Sequence, residues 1–238
     1  TIFKNIKDTS TPFHRDVESI LLRIKNGKSK GLVKQIRAEN SKMERNELKK
    51  LLPAICFSGT FTKRTDTSLS EHSGLICLDF DGYKTKKSML VEKQRLADDK
   101  YVFSVFISPS GLGLKALIKI PKEPDNHKNY FKSLDTYFAS EYFDKTCKNI
   151  SRVCYESYDP LINVNPNSSI WDTIEEQSFT EFVKYSDTAT IPITDENKIV
   201  DILVQWWKKK YPMTQGQRNQ NAYVLAMSFN DYGVNRSL

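Results

Sequence analysis

The period of the apolar positions changes several times along this chain, and each change predicts a change of element. Val17, Ile20, Leu21 and Ile24 recur at i, i+3, i+4 and i+7, the spacing that lines one face of an α-helix. A second helical stretch, rich in Lys, Arg and Glu, runs over 41–52 and stops at Pro53, which lacks the N–H a helix needs. The texture then shortens. Apolar runs at 54–57, 75–80, 102–108 and 114–120 are bounded by Gly, Pro or charged residues and predict strands, some buried on both faces. After Pro124 a helix presents Tyr130, Phe131, Leu134, Tyr137 and Phe138 along one side, a stripe whose ordinary use is core. Another strand is expected over 152–157, followed by a loop over 159–169 rich in Asn and Pro.

A polar segment over 186–195 predicts a linker. Beyond it Ile199, Ile202, Leu203 and Trp206 mark one helix, and Ala222, Leu225, Ala226 and Phe229 mark another. No internal repeat or low-complexity tract interrupts this order. The expected fold is therefore α+β: N-terminal helices over about 1–52, a mixed α/β core over about 53–185, together a domain over 1–190, then a small helical unit over 195–238.

Composition narrows the class. With 238 residues the chain can form one large domain with an appendage. No apolar run approaches the ~20 residues of a membrane span, so no membrane role and a cytoplasmic location are expected. The chain begins without Met and stops within a helical pattern at Leu238, which suggests a longer natural protein. Cys56, Cys77, Cys147 and Cys154 form no Cys-x-x-Cys pair, so buried reduced thiols are expected, with neither structural zinc nor a disulfide framework.

The net charge of +7 is uneven: residues 1–70 carry fifteen Lys and Arg against seven Asp and Glu. A basic region of this kind suits an anionic partner, nucleic acid being the commonest, and it equally suits a solvated basic helical face. Charge alone does not divide the two.

The stretch from Leu75 to Asp81 carries the most chemistry. A buried strand there delivers Asp79 and Asp81 at i and i+2, and the two-residue period of a strand sends both to one face. Two carboxylates so close repel unless a cation lies between them, and hard divalent cations take oxygen ligands. The bland alternative is a strand end running into an acidic turn at Gly82. Downstream, Ser108-Pro109-Ser110-Gly111-Leu112-Gly113-Leu114-Lys115 joins two apolar runs. A Ser/Gly loop exposes backbone N–H groups to a phosphate and a following Lys adds charge, although such turns are common. Asp144 can complete a three-carboxylate site and Arg152 can clamp a phosphate; taken singly, Asp144 also fits a helix-end acid, and Asp159 a turn former before Pro160.

Together these residues resemble the archaeo-eukaryotic primase superfamily, in its primase-polymerase branch. Its Asp-x-Asp strand corresponds to Asp79-Phe80-Asp81. Its Ser-x-His-like motif corresponds to the segment from Ser108 to Lys115, with Lys115 where most relatives carry His. Its hydrophobic-Asp motif corresponds to Phe143-Asp144, trailed by Arg152. The segments 52–61 and His72-Ser73-Gly74-Leu75 are similar to a subgroup of Bacteroidetes mobile elements and phages described as VirE N-terminal-like. Gly216-Gln217-Arg218-Asn219 and Asp231-Tyr232-Gly233 resemble the primase C-terminal modules that often precede a helicase.

The resemblance implies an RRM-like catalytic core and a DNA primase-polymerase in a bacterium, phage or mobile element. Asp79, Asp81 and Asp144 would hold two Mg²⁺ or Mn²⁺ ions for in-line nucleotidyl transfer onto a 3′-hydroxyl, with single-stranded DNA as template, a primer, and NTP or dNTP as substrates. Ser110, Gly111, Gly113 and Lys115 would hold the triphosphate and Arg152 would neutralise it. Lys63, Arg64 and His72 would contact template or nucleotide, unless they belong to a solvated loop. A Lys in place of His supplies fixed charge rather than a proton relay, so nucleotide binding and primer extension are more secure than de novo priming.

Two rivals stand beside this. The hydrophobic-Asp-x-Asp-Gly pattern is also the hallmark of haloacid-dehalogenase-type phosphatases, with Asp79 as nucleophile and Asp81 as general acid. Those enzymes place the strand near the domain start and need a later acidic Gly-Asp-type motif, which does not follow here. The other rival is a non-catalytic nucleic-acid-binding domain that keeps the fold.

Overall fold

The computed structural model describes residues 1–174, 195–211, 218–232 and 234, and the chain divides into two units, Thr1–Gln177 and Ser178–Leu238. In chain order the first holds β1 (Ile2–Phe3), α1 (Val17–Asn26), α2 (Lys30–Ala38), α3 (Lys42–Lys49), β2 (Ala54–Ile55), β3 (Gly59–Phe61), β4 (Leu69–His72), β5 (Leu75–Phe80), α4 (Lys86–Ala97), β6 (Val102–Ile107), β7 (Leu114–Lys119), α5 (His127–Phe138), β8 (Cys154–Tyr155) and β9 (Asn163–Val164). The second holds α6 (Glu196–Lys210) and α7 (Arg218–Asp231). The mixture of helices and small antiparallel sheets is α+β, as the sequence predicts.

The main sheet has the order β5-β7-β6-β9 with every neighbour antiparallel. β5 and β6 therefore run parallel with β7 between them, and α4 connects them: a split βαβ unit. Strand alternation gives this sheet two unlike faces. Ile76, Leu78 and Phe80 of β5, with Leu114, Ala116 and Ile118 of β7, pack against Met89 and Leu96 of α4 and against Tyr130, Phe131, Leu134 and Phe138 of α5. On the other face Cys77, Phe106 and Leu117 meet Ile20, Leu21 and Ile24 of α1 and Ile2, Ile55 and Cys154 of the small β1-β2-β8 sheet. β3 and β4 form a separate hairpin.

Local chemistry explains the helix ends. Asp16 caps α1 by accepting the Ser19 N–H at 2.6 Å, and Gly27, with φ of 81°, ends it in the left-handed region. Thr85 caps α4 through the Ser88 N–H at 3.0 Å.

Several elements differ from expectation. α2 does not show in the apolar period, because only Val33 and Ile36 of its nine residues are buried. The runs at 54–57 and 152–157 shrink to two-residue strands that pair with each other, and β9 lies inside the expected loop, bonded to the edge of β6. In the second unit Leu203 and Trp207 are buried, whereas Ile202 and Trp206 are exposed, so the inward stripe is Leu203 with the residue four beyond it. The Trp207 indole N–H donates to the Asn221 carbonyl at 2.6 Å. Of the expected linker only Asp195 is described, where it caps α6; residues 186–194, Gly216, Gln217 and Gly233 lie outside the described residues. Among the described residues no helix is long and apolar enough to cross a membrane.

Candidate metal and phosphate site

Asp79 of β5 and Lys115 of β7 are directly opposed in the antiparallel register, so both side chains leave the same face of the sheet. The Lys115 ammonium forms an ion pair with Asp79 Oδ2. Asp79 is 7% exposed, and its other oxygen, Oδ1, is buried with no hydrogen-bond partner among the described residues. Asp81 follows just past the end of β5 and lines the same cleft. A Cβ at position 113 would collide with the Asp81 carboxylate, so this close approach requires Gly113.

Backbone pairing brings in the third carboxylate. Phe143 bridges Phe80, the Asp81 N–H donates to the Tyr142 carbonyl at 2.8 Å, and the Asp144 N–H donates to the Asp79 carbonyl at 2.8 Å. The segment around Phe143 thus runs antiparallel beside the end of β5 and sets Asp144 next to Asp79. Asp144 Oδ1 accepts from the Thr146 amide at 2.9 Å and its hydroxyl at 2.7 Å. Its Oδ2 accepts from the Cys147 thiol at 3.0 Å and lies 3.7 Å from the Arg152 guanidinium. One ligand atom from each of Asp79, Asp144 and Cys147 lies within 4.8 Å of the other two.

The Ser/Gly loop forms the facing wall. The Ser108 N–H donates to the Gly113 carbonyl at 2.8 Å, and the Ser108 and Ser110 hydroxyls are 3.0 Å apart. Gly111, with φ of 79°, gives its N–H to the Ser108 carbonyl at 3.0 Å. That donor closes the turn, which corrects the expectation that Gly111 offers its N–H to a phosphate. Arg37 of α2 fastens the loop from behind, donating to the carbonyls of Ser108 at 3.2 Å, Pro109 at 3.3 Å and Tyr158 at 2.9 Å. Asp159 holds the end of β6 by accepting the Ile107 N–H at 2.9 Å, and is itself paired with Lys93 of α4 at 2.6 Å.

Between these walls lies a cleft of about 380 Å³, bounded by Asp79, Asp81, Ser108, Ser110, Lys115 and Arg152, with Asn46, Lys49 and Lys50 from α3 and Tyr155 from β8. Its charges perturb one another. Burial and then the Asp79 carboxylate raise Asp81 above the ordinary carboxylate range. Burial opposes the charge on Lys115, but Asp79 outweighs it and raises the ammonium. Burial lowers Lys49, with Asp81 pulling the other way. Burial alone would raise Asp144, yet the Cys147 thiol and Thr146 hold it below the usual range. Burial, then the bond to Asp144, pushes the Cys147 thiol up to about 12.

Asp79, Asp81, Ser110, Lys115 and Arg152 therefore share one cleft, with Asp144 beside Asp79. Lys63, Arg64 and His72 do not line it. Lys63 is exposed between β3 and β4. Arg64 donates to the Ile6 carbonyl at 2.6 Å and lines a second hollow of about 320 Å³ that shares Arg152, Val153 and Tyr155 with the cleft. His72 is buried, its Nε2 lying 3.2 Å from His127 Nδ1 and its Nδ1 accepting the Gly74 N–H. Burial removes it from contact with template or nucleotide.

Sequence reasoning missed the α3 residues, although 46, 49 and 50 have the i, i+3, i+4 spacing of one helical face. It also missed Cys147, whose signal was its place three residues after Asp144. A divalent cation suits the residues present: Asp79 keeps a buried lone oxygen, and two further donors stand within reach of it.

Residues 47–162 match the family described as BT4734-like, N-terminal domain, a Bacteroides family. The matched span covers just under half of the chain and contains every cleft residue named above except Asn46. No curated protein and no solved structure matches the chain.

Proposed function

We propose that the first unit is the catalytic domain of a DNA primase-polymerase of the archaeo-eukaryotic primase superfamily, transferring nucleotides onto a 3′-hydroxyl on single-stranded DNA. The observation that carries this reading is the meeting of Asp79, Asp81, Lys115, Ser110 and Arg152 in one cleft, with Asp144 paired to the backbone of Asp79. The split βαβ sheet agrees with the RRM-like core that the reading requires. The protein would belong to a Bacteroidetes mobile element or phage.

Two divalent ions, when bound, supply Lewis acidity to the attacking hydroxyl and charge neutralisation to the triphosphate. Asp79 and Asp144 would hold one ion and Asp81, on the open side of the cleft, would help to hold the other. Lys115 neutralises Asp79, so that three carboxylates can share a partly buried site. The Ser108 and Ser110 hydroxyls donate to phosphate oxygens, while Lys49, Lys50 and Arg152 face the same space and balance the charge that builds up on the departing pyrophosphate. Arg37 and Asp159 keep the loop in place and touch no substrate.

The test is primer synthesis and extension on single-stranded DNA with Mn²⁺ or Mg²⁺, offering NTPs and dNTPs in parallel. Metal-dependent product that disappears in Asp79→Ala and Asp81→Ala supports the proposal, and folded protein that makes no product under any combination overturns it. The Lys115–Asp79 ion pair favours one second reading, a nucleic-acid-binding domain whose acids are already neutralised. That reading predicts unchanged DNA binding in the Ala variants with no incorporation by any version. Metal-dependent phosphate release from a monoester would instead identify a phosphatase.

A further inference from the structure

The donor set beside Asp79 contains a sulfur. We propose that Asp79, Asp144 and Cys147 form a resident cation site in which the Cys147 thiolate is a ligand, and that the site selects Co²⁺ or Zn²⁺ over Mg²⁺. The proposal rests on the nucleotidyl-transfer reading and deepens it, because it identifies which ion belongs to the protein before nucleotide binds.

Three features define the site. The first is distance: the ligand atoms lie within 4.8 Å of one another. Donors at ~2.0–2.3 Å in a tetrahedral shell stand ~3.3–3.8 Å apart, so side-chain movement on the order of an ångström closes all three on one cation. The second is the state of Asp79. Its side chain is nine-tenths buried, Lys115 occupies Oδ2, and Oδ1 has no partner among the described residues. An unpaired carboxylate oxygen in that position is costly unless a cation takes it or the neighbouring Asp81 carboxyl shares a proton with it. The third is preparation of the other two ligands. Thr146 holds Asp144 through Oδ1 and leaves Oδ2 facing the Cys147 thiol at 3.0 Å. Outer partners of this sort fix the orientation of ligating side chains.

Binding replaces the thiol proton that now bridges sulfur and Oδ2. The proton leaves to solvent, and the cation bonds to the thiolate and to one oxygen of each carboxylate. Arg152, 3.7 Å from that same Oδ2, is then released toward the cleft that it lines. Mg²⁺ favours a near-ideal shell of oxygens, whereas thiolate donors favour softer ions. Because Lys115 holds the second oxygen of Asp79, Asp81 is left as the protein ligand for an ion that arrives with the triphosphate.

The experiment titrates the metal-stripped chain with Co²⁺ in the absence of nucleotide and follows the sulfur-to-cobalt charge-transfer absorption. One equivalent should bind and produce the band, with Mg²⁺ in large excess failing to displace it. Cys147→Ser should remove the band, and Cys147→Ser and Asp144→Asn should each weaken Co²⁺ binding about 10-fold or more. Asp144→Asn leaves the buried cysteine in place and serves if the serine variant does not fold. Cobalt bound without the band, a band that persists in Cys147→Ser, displacement by equimolar Mg²⁺, or no cobalt bound would each overturn the site. Incorporation of nucleotide by a protein without the band overturns this site and leaves the polymerase reading standing. Thiolate-bound cobalt in a protein that incorporates nothing does the reverse.

Discussion

The two faces of the β5-β7-β6 sheet come from the same alternating strands and hold opposite kinds of residue. Toward α4 and α5, β5 and β7 contribute Ile76, Leu78, Phe80, Leu114, Ala116 and Ile118, all apolar. Toward α1 the same two strands contribute Cys77 and Leu117, then, one step nearer the cleft, Asp79 opposite Lys115. One face is sealed by two helices. The other is covered by α1 and the small sheet over part of its length and opens into the cleft where that cover ends. Burial of apolar surface stabilises the first face directly. A buried ion pair on the second contributes little net stability, because desolvating both charges offsets their attraction. The contrast separates residues that hold the fold from residues that fit a ligand.

Two adjacent residues give the largest test of that separation. Phe80 packs edge-on against Phe138 and Phe143, and its truncation to Ala should cost about 3–5 kcal/mol, visible as a large fall in the urea midpoint. Asp79→Asn combined with Lys115→Met removes both charges of the buried pair, should leave the fold populated, and on the proposed function should reduce nucleotide incorporation by on the order of 10³-fold or more, about 4 kcal/mol at the transition state. Equal loss of stability in both variants would mean that the two faces are one structural core.

These two faces also differ in how far they can be read from sequence. The apolar face is legible because burial on both sides makes strand runs stand out at 75–80, 102–108 and 114–120. The Asp79–Asp81 pair is legible because two acids end such a run. The placement of Asp144 depends on the bridge between Phe80 and Phe143, a pairing across 62 intervening positions that no local pattern encodes. Arg37 looks like any surface cation of a short helix, and its role follows only from the three carbonyls that it meets. His72 misled for the converse reason: a polar residue before the acidic strand suggests contact with ligand, whereas His127, far along the chain, gives it a buried partner.

Next in size is the Lys93–Asp159 pair, which ties α4 to the end of β6. Its side chains are 10% and 2% exposed, so Asp159→Asn leaves a buried ammonium without its counter-charge. A loss of about 3 kcal/mol is expected, read as a drop in thermal midpoint, together with a raised KM as the Ser/Gly loop loses its anchor. The double change Lys93→Met with Asp159→Asn should recover most of the stability and leave KM raised. Full recovery of both would show that the pair has no part in positioning the loop.

A buried polar pair lies where His127, at the start of α5, meets His72 at the end of β4. Burial and then the neighbouring His72 lower His127 to about 4. A histidine whose pKa is depressed on folding contributes stability above its ordinary value near 6.5 and loses it as pH falls toward about 4, by roughly 3 kcal/mol at the limit. Urea midpoints measured between those values should decline in the wild type and flatten in His127→Asn. A slope unchanged by the substitution would assign the acid sensitivity to other groups.

The smallest effect sharpens the boundary between fold and site. Arg37 makes three hydrogen bonds to carbonyls but belongs to a short helix that is only half covered, so Arg37→Ala should cost about 1 kcal/mol. Its larger consequence is geometric. Without the guanidinium, the carbonyls of Ser108 and Pro109 lose their fixed partner and the two serine hydroxyls lose their register in the cleft. On the proposed function, KM for the nucleotide should rise several-fold with a smaller change in kcat, since the loop would bind phosphate in ground state and transition state alike. Lys should not rescue the defect, because a single ammonium does not reproduce the planar fork that reaches separate carbonyls. A fall in kcat at unchanged KM would place Arg37 in the chemistry instead of behind the loop.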